Sequence, residues 1–98
     1  MMNQMSARFK PIAEHPLNLR GAFIRRSVLD YASFRNADLT NADMTNASAR
    51  YADFTDAVLD GTVLRVADLT GAKITAQQIR AAIVDNLTLL PKEIADNS

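Results

Sequence analysis

Apolar residues recur along this chain with a step of five. From Leu17 to Ala76, twelve five-residue units follow one another without insertion: LNLRG, AFIRR, SVLDY, ASFRN, ADLTN, ADMTN, ASARY, ADFTD, AVLDG, TVLRV, ADLTG and AKITA. The first residue is Ala in nine of the twelve, the exceptions being Leu17, Ser27 and Thr62. The third is large and apolar in eleven, and only Ala49 departs. A step of five turns an α-helix by about 500°, leaving about 140° and scattering the apolar set around the axis. A plain strand fails as well, because five is odd. Within one unit, however, the first and third residues lie on the same side of an extended segment. The other two residues then turn a corner, and four corners close a square. The pattern predicts square coils of twenty residues, about three of them, stacked about 4.8 Å apart. Small Ala and large Leu or Phe alternate inward, which fills a narrow tube without voids.

Residues twenty apart are then expected above one another. The inward columns are Leu19/Leu39/Leu59, Ile24/Met44/Leu64, Leu29/Ala49/Leu69 and Phe34/Phe54/Ile74. Ala49 predicts a thin place in its column, filled by Met44 or Phe54. Outside, Tyr31 is expected below Tyr51 with Gly71 above, and Asp30 below Arg50 as an exposed ion pair. Several second positions are apolar where the repeat favours Asp or Asn: Phe23, Val28, Val58 and Val63. Val58, Val63 and Val66, with Arg65 among them, are candidates for one exposed apolar patch. Phe23, Tyr31 and Tyr51 join them as candidate interaction residues. Scattered surface valines are also ordinary in strands, so the alternative is a bare structural surface.

The A-(D/N)-L-x-x pattern, seen here as ADLTN, ADMTN, ADFTD and ADLTG, resembles the pentapeptide-repeat proteins. The resemblance covers residues 17–76. It implies an all-β fold, a right-handed quadrilateral β-helix, here of about three coils with a short C-terminal capping α-helix. It does not fix a function. Some family members imitate duplex DNA and modulate gyrase or topoisomerase, as long acidic rods.

An open β-helix must hide both edges. Thr75 and Gln78 have capping-box spacing, and Ile74 and Ile79 are placed as a hydrophobic staple. A helix of about two turns is expected, with Ile79, Ala82 and Ile83 on one face and Asn86 as a left-handed stop. Leu87 to Pro91 reads as extended. This end resembles the C-terminal cap of some bacterial family members, which often pair end to end. Ile83, Leu87, Leu89, Leu90 and Ile94 are therefore candidates for association of two copies. At the other end, Phe9 and Ile12, with Leu17 as a further candidate, are expected to lid the first coil. The expected organisation is an N-terminal tail and cap over 1–16, the repeat over 17–76 and a C-terminal helix and extended cap over 77–98.

Composition narrows the functions. Ninety-eight residues make one domain at most. There is no cysteine and one histidine, His15, so neither a thiolate metal site nor a Cys/His nucleophile pair is available within the chain. No cofactor is expected, and no enzyme activity, since a filled tube has no pocket for paired carboxylates. No stretch approaches a membrane span and the start has no leader-like apolar run, so a cytoplasmic protein is expected. Eleven basic and eleven acidic residues cancel, against the dense negative charge that a DNA mimic needs. Basic residues nevertheless dominate up to Arg35 and acidic ones after it. Weak nucleic-acid binding through Arg20, Arg25, Arg26 and Arg35 is a less favoured alternative. The leading expectation is a structural or protein-interaction scaffold of unknown partner, with a homodimer through the C-terminal end.

Overall fold

In a computed structural model, residues 17–96 are described, and the expected lid of Phe9 and Ile12, with His15, lies outside them. Parallel bridges join residues twenty apart in four columns: Asn18–Asp38–Val58, Phe23–Asp43–Val63, Val28–Ser48–Asp68 and Ser33–Asp53–Lys73. These columns define four faces. Face one holds residues 17–21, 37–41 and 57–61, and faces two, three and four follow in steps of five.

Each unit distributes its amides in a fixed way. In the unit beginning at Ala37, the second and third amides bond neighbouring coils: Asp38 N to Leu17 O at 2.9 Å and Leu39 N to Val58 O at 2.9 Å. The fifth, Asn41 N, bonds Asp60 O at 2.9 Å, and the first amide of the next unit, Ala42 N, closes a turn onto Leu39 O at 2.9 Å. Where the second residue is Asp or Asn, the fourth amide goes to that side chain, as in Thr40 N to Asp38 Oδ1 at 3.0 Å. The Asp or Asn at second position is thus an Asx turn that satisfies the one amide the coils leave over. The fifth residue is left-handed at every corner from Gly21 to Gly71, with φ between 59° and 70°. That is the third residue of a type II turn, where Gly and Asn are favoured. Val66 is there too at φ 60°, an outlying conformation for a β-branched residue.

The interior follows from the first and third positions. Leu39, Met44, Ala49, Phe54, Leu64 and Leu69 are fully buried, and Phe34 stacks on Phe54 with ring centroids 5.1 Å apart. Thr62 replaces a first-position Ala inside the tube, and its hydroxyl donates to Leu39 O at 2.7 Å.

Above Val58, the bridged column of face one gives way to helix α1, Ala76–Ala81. The capping box forms as the spacing predicts: Gln78 N donates to Thr75 Oγ1 and Thr75 N to Gln78 Oε1. Gln78 also stands one period above Val58, and its Nε2 donates to Phe54 O at 2.8 Å and Ala57 O at 2.9 Å. One side chain therefore takes Ala57 O, which the amide of a further coil would have taken, and adds a bond to Phe54 O, already the acceptor of the turn amide Ala57 N.

The helix is shorter than the pattern suggests. It ends at Ala81 with Ala82 extended, so Asn86 is not its stop, and Ile83 leaves the helix to bridge Val63. Leu89 bridges Asp68, twenty-one residues on rather than twenty. The extended reading of this segment holds at Leu89, and a second short helix, α2, Lys92–Ala95, follows Pro91. That helix is not legible in the repeat, because Pro91 and the helix formers behind it act only locally.

Candidate interaction faces

The second-position carboxylates of the repeat are engaged within the solenoid. Asp38, Asp43 and Asp53 each take the hydroxyl and amide of the threonine two residues on. The Thr55 hydroxyl, then the Thr55 amide and Arg35, hold the Asp53 carboxyl down to about 2. Asp38 and Asp43 are lowered in the same way, first by the hydroxyls of Thr40 and Thr45. Their second oxygens receive arginines from the coil beneath: Arg20–Asp38 at 3.1 Å, Arg25–Asp43 at 3.7 Å and Arg35–Asp53 at 3.2 Å. The basic first third of the chain and the acidic remainder are thus partly one set of pairs eighteen residues apart.

Arg50 corrects one expectation. Its guanidinium lies 3.9 Å from Asp68, above it, not on Asp30. Asp30 instead accepts the Ser48 hydroxyl at 2.6 Å and the Arg50 amide at 2.9 Å. Ser48 occupies a second position without a carboxylate, and Asp30 from the coil below supplies it. The Ser48 hydroxyl is the main reason the Asp30 carboxyl is lowered.

Face three carries the tyrosine column. The Tyr31 and Tyr51 rings stack at 5.2 Å with 14° between planes. The Tyr51 ring then lies against Gly71 in the coil above, where an added Cβ would collide with it. Arg50 stands 5.9 Å from the Tyr51 ring, and Tyr31 remains 76 % exposed.

The valines divide between faces. Val58 is exposed on face one, beside a groove of about 340 Å³ that it shares with Gln77, Gln78 and Ala81. Val63 is half-buried on face two between Asp43 below and Ile83 above. Val66 is exposed at the corner of that face, and Arg65 is exposed beside it. Lower on face two, Phe23 is 74 % exposed with the Arg25 guanidinium 5.7 Å from its ring centroid. That cation–π contact is not legible in the sequence, because it joins the second and fourth positions of one unit by side-chain direction.

At the C-terminal end, Ile83, Val84, Leu87 and Leu89 are exposed, whereas Leu90 and Ile94 are half-buried against the core. Ile74, Ile79, Leu90 and Ile94 line a cavity of about 530 Å³, with Arg80 and Glu93 beside it. Among the described residues no group of three or more His, Asp or Glu could hold a metal ion. No helix among them is long and apolar enough to cross a membrane.

A family model described as pentapeptide repeats matches residues 17–46 and 50–75 in eight copies. The crystal structure of a pentapeptide repeat protein (Rfr23) from the cyanobacterium Cyanothece 51142 superposes with a TM-score of 0.71 at 25% sequence identity. The match covers 76% of this chain and 51% of that one, so this chain spans about half the length of its structural relative. None of the curated proteins compared matches this sequence significantly.

Proposed function

The chain belongs to the pentapeptide-repeat family, whose fold is a right-handed quadrilateral β-helix, and from that premise we propose that it is a non-enzymatic binding module. It presents three coils over residues 17–76, closed by a C-terminal cap that begins with α1. The observation that carries this reading is the division of labour along each unit. The Asp and Thr side chains are turned onto the solenoid's own amides and hydroxyls, while Phe23, Tyr31, Tyr51, Val58 and Val66 are directed to solvent. Polar groups that chemistry would need are occupied, and apolar groups that a partner would bury are free.

The module works in the cytoplasm on a protein partner, and two copies pair through Ile83, Leu87 and Leu89 at the cap. DNA mimicry is the less favoured reading, because Arg20, Arg25 and Arg35 neutralise the second-coil aspartates. Gyrase supercoiling is expected to be unaffected at micromolar protein. The experiment that tests the binding reading is affinity capture from the native host with mass spectrometry. It compares the wild-type chain with Val63→Asp, Tyr31→Ala and Leu87→Asp. Proteins retained by the wild type and lost from at least one variant are expected. Identical retention by all four chains sinks the reading.

A further inference from the structure

Face two differs from the other three in both charge and apolarity. Over residues 17–76 it carries Arg25, Arg26 and Arg65 outward against Asp43 alone, whereas on each other face acidic groups equal or outnumber basic ones. Arg25 is engaged with Asp43 and Phe23. Among the described residues neither Arg26 nor Arg65 has a carboxylate within 4.0 Å, although Arg65 stands near enough to Asp43 to help lower its carboxyl. Asp85, above this face, is turned onto the amides of Val66 and Leu87.

The same face departs from what the solenoid needs at several places. Phe23 and Val63 stand where an Asp would satisfy the amides of Arg25 and Arg65, as Asp43 does for Thr45 at 3.0 Å. Val66 holds a left-handed backbone that Asn or Gly adopts more readily. Phe23 at one end and Ile83 at the other are exposed in one bridged column, and Val84 is exposed beside Ile83. Side chains that cost the fold something are gathered beside two arginines that make no close ion pair.

We propose that face two docks an acidic, apolar peptide segment of a partner protein. This rests on the binding-module reading and deepens it. Aliphatic or aromatic anchors of the segment cover Val63, Val66 and Phe23, and its Asp or Glu side chains meet Arg26 and Arg65. From Phe23 to Val63 is two coils, about 10 Å, which an extended peptide spans in about three residues. A footprint of this size gives a weak, micromolar complex. A nucleic-acid backbone fits less well, because Asp43 sits in the middle of the column and aliphatic side chains separate the arginines.

The test is selection of a random twelve-residue displayed peptide library on the immobilised full chain. Titration of the enriched synthetic peptides and of a twenty-nucleotide single-stranded DNA follows. Enriched peptides are expected to carry Asp or Glu around apolar anchors and to bind at micromolar concentration. Arg26→Glu with Arg65→Glu should weaken them at least tenfold, and Lys73→Glu on face four should leave them unchanged. Val66→Asn should raise the melting temperature yet weaken binding, a combination that a purely structural valine does not give. Peptides that lose binding only in Tyr31→Ala or Leu87→Asp overturn the assignment to face two while leaving the binding module standing. Tighter binding of the DNA, or enriched peptides without acidic residues, also overturns it. Failure to enrich any peptide overturns it as well, whereas the capture experiment decides the module reading separately. Melting curves of each variant establish that it is folded.

Discussion

Replacing Gly71 by Ala sets two costs against the fold. The first is conformational: Gly71 has φ +70°, and a residue with a Cβ gives up about 1–2 kcal/mol there. Restriction of the unfolded chain returns about 0.4–1 kcal/mol of that. The second is steric: the new Cβ would fall well inside the van der Waals radii of Tyr51 Cε1 and Cδ1. The ring must swing off, and the Tyr31–Tyr51 stack, worth about 0.5–1.5 kcal/mol beyond its area, goes with it. Together these predict a loss of about 2 kcal/mol, or a fall in melting temperature of roughly 8–16 °C for a domain of this size.

Gly21 is the internal control. It has φ +65°, but a methyl group added there would meet nothing among the described residues within 4 Å, so Gly21→Ala carries only the conformational share. The assay is thermal and urea unfolding of both variants, with near-ultraviolet circular dichroism at the tyrosine band. The chain has two tyrosines and no tryptophan, so that band reports on this stack. In a Tyr51→Ala background, Gly71→Ala should cost no more than Gly21→Ala. Equal losses in the two single variants, with the tyrosine signal intact, would refute the reasoning.

Other expectations follow from the same contacts. Asp53 is held at about 2 against an ordinary 3.8, so the folded state binds fewer protons than the unfolded chain between those values. Its contribution is complete above pH 3.8 and is lost as pH falls toward 2, and Asp30, Asp38 and Asp43 act in the same direction. Melting temperature should therefore drop steeply below about pH 4, and Thr55→Val should move the Asp53 carboxyl titration upward by NMR; a flat profile from about pH 5 to 2 contradicts this. Gln78→Ala removes the bonds to Phe54 O, Ala57 O and Thr75 N and should cost about 2–3 kcal/mol in urea unfolding. Phe54→Ala empties the centre of the tube and should cost about 3–5 kcal/mol, and a loss below about 1 kcal/mol would show that the coils collapse around the gap.

What is legible in the sequence is what translation by twenty residues preserves. Phe34 under Phe54 and Tyr31 under Tyr51 are consequences of period alone, as is the burial of every third-position side chain in the second coil. The capping box is legible because it depends on two residues three apart. What the period does not encode is side-chain direction. The arginines pair eighteen residues on rather than twenty, since a fourth-position side chain slants across to the second position of the next coil. The role of Asp is also hidden: its carboxylate closes on an amide two residues away, a bond that the coil spacing does not reveal. Beyond Ala76 the period ends. α1 takes the place of one extended segment, yet Ile83 still falls twenty residues after Val63; the extra residue enters between Ile83 and Leu89, which returns to its column one residue late. Val58 and Val63, five positions apart, stand on adjacent faces across one corner, as the step of five places them.

The claim beneath all of these is that residues twenty apart are neighbours. The chain contains no cysteine, so introduced pairs report contact without interference. Val28→Cys with Ser48→Cys places thiols on bridged positions of one face, at a strand spacing of about 4.8 Å that a disulfide can span. Val28→Cys with Asp53→Cys places them on adjacent faces. Mild oxidation should close the first pair rapidly and within one chain, as read by mass and by mobility on a non-reducing gel, and leave the second open. Equal closure of both pairs, or closure of the second alone, would contradict the square coil of twenty.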